Sequence, residues 1–131
     1  MIETLKPLMR EGIINWCETV KSVVEEGEIF VQKARKSSSG LVTILLEGLP
    51  NAGKTALAAY LAVRSKFPFI RVCSPANMVL CDVKEKCIRI NNHFDDAYKW
   101  PLSCLIIDNI EMLIEHNRLA PYYSNDILRT L

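Results

Sequence analysis

The sequence predicts an α/β fold with a parallel sheet, and three observations carry that prediction. Strand-sized apolar runs alternate with longer segments of helical character, the signature of parallel strands joined by helical crossovers. The first run, Leu41-Val42-Thr43-Ile44-Leu45-Leu46, feeds Gly48-Leu49-Pro50-Asn51-Ala52-Gly53-Lys54-Thr55, and Ala56-Leu57-Ala58-Ala59-Tyr60-Leu61-Ala62 then favours helix. The last run, Leu102-Ser103-Cys104-Leu105-Ile106-Ile107, ends in Asp108 and reads as a strand covered on both faces.

Each element can be justified in order. The segment from Cys17 to Lys36 sets Val20, Val23, Val24, Phe30, Val31 and Ala34 among charges, roughly a helical stripe. Gly27 interrupts it at some cost to the helix. Lys36-Ser37-Ser38-Ser39-Gly40 is a loop by composition. After the Ala-rich helix, Ser65-Lys66-Phe67-Pro68 breaks the pattern, and Phe69-Ile70-Arg71-Val72-Cys73 is a second strand closed by Ser74-Pro75. Residues 77–99 read as loop and helix, with Ile88, Phe94, Ala97 and Tyr98 as the expected buried face. Pro101 forbids that helix from continuing. Ser124 is a good N-cap for a last helix running to Leu131.

Length and composition bound what such a fold does. At 131 residues the chain reads as one domain. That length buries roughly two-thirds of the unfolded surface, enough for a core. Sixteen basic residues against fifteen acidic leave a net charge of +1, so no basic excess points to nucleic acid. No apolar stretch is long enough to span a membrane. The first residues, Met1-Ile2-Glu3-Thr4-Leu5-Lys6-Pro7, lack the apolar core of a secretory signal. The five cysteines (Cys17, Cys73, Cys81, Cys87, Cys104) form no C-x-x-C pair. Cys73 and Cys104 read as small core residues, Cys81 and Cys87 as helix or loop residues, and the usage suits a reducing cytosol. His93 and His116 stand alone and read as surface residues.

Residues 48–55 match G-x-x-x-x-G-K-S/T in its proper setting of strand, loop and helix. Glycines let the backbone wrap a polyphosphate, and the new helix aims its N–H groups and positive dipole end at the anion. Lys54 is expected on the β- and γ-phosphates and the Thr55 hydroxyl on Mg²⁺. The candidate nucleotide contacts are Gly48, Leu49, Pro50, Asn51, Ala52, Gly53, Lys54, Thr55 and Ala56. Asp108, at the C-terminal end of a parallel strand, is the expected second metal anchor through the ion's water shell. It also suits a turn or helix cap. ATPases of this sheet class often place glutamate next, to deprotonate water. Here the next residue is Asn109, and an amide cannot take up that proton at neutral pH. Glu111, two residues on, is expected to cap or face solvent. The site therefore predicts tight binding of ATP with slow or absent turnover, and no residue is assigned a catalytic role.

These residues resemble the second ATPase domain of the N-ethylmaleimide-sensitive fusion ATPases, AAA proteins that disassemble SNARE complexes. The resemblance runs from about Gly12 to the last residue. Its blocks are Gly12-Ile13-Ile14-Asn15-Trp16, Leu45-Leu46-Glu47-Gly48 with Gly53-Lys54-Thr55-Ala56-Leu57-Ala58-Ala59, and Phe67-Pro68-Phe69-Ile70 with Cys73-Ser74-Pro75. Phe94-Asp95-Asp96-Ala97-Tyr98-Lys99, leading to Leu102-Ser103-Cys104 and Asp108, completes it. It implies a P-loop NTPase of AAA type, a three-layer sandwich with a parallel sheet, in which residues 12–16 pack beside adenine. It implies ATP and Mg²⁺ as cofactors and a homo-hexamer in the full-length relative. SNAP adaptors and SNARE complexes would be engaged through other domains, in the cytoplasm at secretory-pathway membranes. The segment Met78-Val79-Leu80-Cys81 takes the place of the family's pore-facing loop but departs from its small-then-aromatic pattern, and reads equally as an ordinary surface loop.

The resemblance also implies a partial domain, truncated at its C-terminus. Residues 1–40 are a helical, adenine-flanking segment, and residues 41–131 a core without the later strand, sensor residue, arginine finger and helical lid. With that strand missing, the edges of 41–47 and 104–108 face a gap unless they pair directly, and the isolated chain is expected to fold poorly. Three readings stay open: a hydrolysing AAA domain, a nucleotide-stabilised assembly module, and a fragment inactive by itself. A small GTPase is the outsider, since no N-K-x-D element is present.

Overall fold

Valines and alanines four and three residues apart make the longest helix of the chain. In the computed structural model, which describes residues 2–9, 12–14, 17–37, 40–115 and 124–131, this helix is α2 (Glu18–Lys36). Val20, Val24, Gly27, Val31 and Ala34 form its covered face, with Val24 and Gly27 fully buried. Glu18 in its first turn and Lys33, Arg35 and Lys36 in its last complement the helix dipole. The chain divides into two compact units, Met1–Phe67 and Pro68–Leu131.

In the first unit, α1 (Ile2–Met9) and α2 both pack on α3 (Lys54–Ser65). α1 was not foreseen in the sequence, because Pro7 sits inside it; its Leu5 is buried nonetheless. Gly27 proves to be a packing device and no interruption. A Cβ built there would lie 2.5 Å from Leu61 Cδ1 and 2.9 Å from Cδ2, so only glycine lets α3 approach α2 this closely. At the far end, the Arg35 guanidinium donates to the Ser65 carbonyl and lies over the Phe67 ring. Lys66 turns the chain out of α3 in the left-handed conformation, with φ 52°.

The expected strand over 41–47 is a correction. These residues join no ladder among the described residues, and Leu41 and Leu45 are 70% and 78% exposed. β propensity acts through cross-strand neighbours, and without one an apolar run has nothing to be a strand against.

The second unit holds the parallel pair, β1 (Phe69–Cys73) and β2 (Ser103–Ile107), with Phe69 opposite Ser103 and Cys73 opposite Ile107. Between them Ser74 caps a 3₁₀ turn, Pro75–Met78, and α4 (Val83–Tyr98) packs on both strands. Asp82 and Glu85 close a reciprocal capping box at its start. The covered face of α4 is Val83, Cys87, Ile90, Phe94 and Ala97. Phe94 and Ala97 match expectation, whereas Ile88 and Tyr98 are exposed, because both lie off that i, i+4, i+7 stripe.

β2 is also less covered than expected: Ile106 is buried, and Ser103, Cys104, Leu105 and Ile107 are half-buried. α5 (Ile110–Leu113) and α6 (Asn125–Thr130) follow, the latter capped by Ser124 as predicted. Cys73, Met78, Ile90, Leu113 and Ile127 are the core of this unit.

Candidate nucleotide site

Three left-handed residues shape the loop of the first unit: Gly48 (φ 157°), Asn51 (φ 61°) and Gly53 (φ 87°). Gly53 is the N-cap of α3, and its backbone conformation excludes most side chains. A Cβ built on it meets nothing within 4 Å, so the space before the helix is open. Ala52 N donates to Leu49 O at 3.2 Å, closing the turn, and Leu57 N donates to Gly53 O at 2.9 Å, starting the helix. Lys54 folds back over this turn, and its ammonium donates to the carbonyls of Gly48 (2.7 Å) and Leu49 (2.8 Å). No acidic residue occupies the first turn of α3.

A positive helix end, a lysine ammonium and an open glycine turn form an anion cradle. The donor set fits a polyphosphate: phosphate oxygens offer Lys54 better acceptors than the carbonyls it now holds. Thr55 and Ala56 follow, half-buried, in the first turn of the helix. Of the expected adenine-side residues, Gly12 has φ 89°, and its N–H donates to Met9 O at 2.8 Å. Ile13 is half-buried and Ile14 exposed, while Asn15 and Trp16 lie outside the described residues.

Asp108 belongs to the second unit. Its N–H donates to Cys73 O at 2.9 Å, continuing the β1–β2 ladder one residue past β2. Asn109 follows in the left-handed conformation (φ 49°, ψ 52°), and its carbonyl accepts from Met112 N and Leu113 N to begin α5. Its side-chain Nδ2 donates to Asp108 Oδ2 at 3.2 Å. That bond was not foreseen in the sequence. The available signal was an Asp-Asn pair at a strand-to-helix corner, where Asn is among the few side chains that tolerate φ above zero. Glu111 is exposed on α5, as expected. A carboxylate at a strand end is an oxygen ligand of the kind Mg²⁺ takes.

Other expectations resolve here. Met78 is buried in the core, whereas Val79 and Leu80 are exposed. The five cysteines are free thiols, and no metal-sized group of His, Cys, Asp or Glu occurs among the described residues. Burial pushes the Cys104 thiol up to about 11 and raises that of Cys73, so both stay protonated and unreactive at neutral pH. His93 is half-buried on α4. Burial first, then the nearby Arg71 charge, holds its imidazole below the usual range, with Asp96 opposing. His116 lies outside the described residues.

A loop of this build opening a helix, in a chain that also carries a parallel strand pair, defines a nucleotide-binding α/β protein. The model of the family described as "ATPase family associated with various cellular activities (AAA)" matches residues 44–131, and the chain belongs to that family. It is similar to vesicle-fusing ATPases: it is 41% identical over 130 residues to the vesicular-fusion protein SEC18 of Saccharomyces cerevisiae. It is 38% identical over 130 residues to the vesicular-fusion protein sec18 of Schizosaccharomyces pombe, and 40% over 121 to the vesicle-fusing ATPase of Dictyostelium discoideum. These matches cover 92–98% of this chain but only 16–17% of each relative's length. Membership of the AAA family implies ATP binding. No helix among the described residues is long and apolar enough to cross a membrane.

Proposed function

We propose that this chain is an ATP-holding domain of a vesicle-fusing ATPase, of the second-domain kind, with slow or absent turnover. The observation that carries the reading is Lys54 turned into an open glycine loop at the start of α3, with no acid in that first turn. Gly48 to Ala56 bind and orient the phosphates, and residues 12–16 flank the base. Thr55 and Asp108 are the groups that would hold Mg²⁺, which when bound neutralises charge on the phosphates.

Slow turnover is supported by Asn109, whose amide takes the place of a proton acceptor and is engaged with Asp108. In this reading nucleotide stabilises a hexameric assembly. A ligand at a thousand times its dissociation constant adds about 4 kcal/mol to the state that binds it. The setting is vesicle transport in the cytoplasm at secretory membranes, with SNAP adaptors and SNARE complexes engaged through other domains.

The test is titration of the purified chain with a fluorescent ATP analogue, followed by phosphate release from ATP. Saturable binding, weakened at least a hundredfold in Lys54→Ala, with little phosphate released, is the expected result. Binding indifferent to Lys54 refutes the site. Rapid release abolished by Lys54→Ala refutes the slow-turnover reading.

A further inference from the structure

We propose that the outer face of α2 is a docking site for an acidic peptide segment of a partner protein, one that carries an apolar side chain beside its carboxylates. The site shares no residue with the phosphate loop and does not depend on the ATP-holding reading. α2 packs on α3 through the face that holds Val24, Gly27 and Val31. On the opposite side, Ile29, Gln32, Lys33 and Lys36 follow the three- and four-residue spacing of a single helix face. A surface helix keeps its outer face polar, yet Ile29 stands there 57% exposed. A hollow of about 560 Å³ opens at this place, lined by those four residues with Ser37 and Val42. That is room for the side chains of a short segment and too little for a folded domain.

Charge decides what the hollow accepts. Its lining holds two lysines and no acid. Along α2 the charges are segregated, with Glu25, Glu26 and Glu28 midway and Lys33, Arg35 and Lys36 at the end. Arg35 is turned to the Ser65 carbonyl and the Phe67 ring. Lys33 lies over the Phe30 ring, and neither Lys33 nor Lys36 joins an ion pair among the described residues. The helix dipole brings about half a negative charge to this end, against two full positive ones, so the rim stays positive. Carboxylates on a partner gain charge-assisted bonds from both ammonium groups, and an apolar side chain between them covers Ile29 and Val42. The glutamates upstream repel the same carboxylates and so fix the direction in which the segment lies. An anionic membrane fits less well: two lysines fall short of the roughly four to eight that mark lipid-binding clusters, and the apolar surface here is concave.

The experiment selects a display library of random short peptides on the wild-type chain. The enriched peptides are then titrated against a variant carrying Lys33→Glu and Lys36→Glu. The expected result is enrichment of sequences that set Asp or Glu beside Leu or Ile. Their binding is expected to weaken about tenfold or more in the variant and to fall with added salt. A second variant, Lys33→Gln with Lys36→Gln, adds no acid at the helix end and is expected to show a smaller loss. It keeps the test valid should the charge-reversed chain lose its helical circular dichroism. No enrichment of acidic sequences, or equal binding by the wild type and the Gln variant, overturns the proposal. So does co-sedimentation with phosphatidylserine vesicles that the variants lose while no peptide is enriched, which gives this face to a membrane. Each of these failures leaves the Lys54-dependent binding of nucleotide untouched.

Discussion

Lys54 shows how much one side chain's chemistry depends on what surrounds it. Its ammonium lies against two loop carbonyls at 2.7 and 2.8 Å, positions from which an anion draws it away by offering charge-assisted bonds. The motif pattern names this residue, and the left-handed turn at Gly53 gives it an open space to act in. His93 was legible only as a lone histidine, since nothing local says that α4 carries it beside Arg71 on β1. Its folded pKa lies below the unfolded value of 6.5, so the unfolded chain binds its proton more readily. Stability from this group is full above pH 6.5 and lost as pH falls through and below it. The thermal midpoint is therefore expected to drop between pH 7.5 and 5.5, and His93→Gln should flatten that dependence. An equally steep fall in the variant would place the cause elsewhere.

Helices α2 and α3 meet where the smallest residue faces a leucine. Propensity alone assigns Gly27 a cost of about 1 kcal/mol relative to alanine, which predicts that Gly27→Ala stabilises. The packing argues the reverse: a new Cβ at 2.5 Å from Leu61 Cδ1 overfills a buried contact, at about 1–3 kcal/mol. Overpacking wins, and Gly27→Ala is expected to lose about 1 kcal/mol in urea unfolding. Combining it with Leu61→Ala should recover part of the loss by filling the vacated space, which a double-mutant cycle reads directly. The same lesson governs α4, where Ile88 and Tyr98 are as apolar as the buried positions. Their place off the 83–87–90–94–97 stripe decides their exposure.

For the whole chain, the apolar run at residues 41–46 is the feature that composition cannot place. It carries no charge and no proline, with Leu41 and Leu45 exposed and no ladder formed among the described residues. Such a segment is a template for pairing with another chain. Leu45→Lys, a charge at a position already open to solvent, is expected to lower concentration-dependent light scattering with little change in the thermal transition. Scattering that persists unchanged would mean association arises from another surface.

The sequence by itself determined whatever depends on neighbours along the chain. The turn glycines and lysine of 48–55, the Phe69–Cys73 strand, the proline stop near residue 101 and the Ser124 cap are all set by residues within a few positions of one another. Asn109 is read from the sequence in the same local way, as an amide next to Asp108. Tertiary structure decided the rest, because burial and hydrogen bonding are relations between distant segments. It made Gly27 a contact, left 41–47 without a ladder among the described residues and half-buried His93. It also turned the Asn109 amide onto Asp108, a bond that exists only because β1, β2 and α5 fix the corner between them.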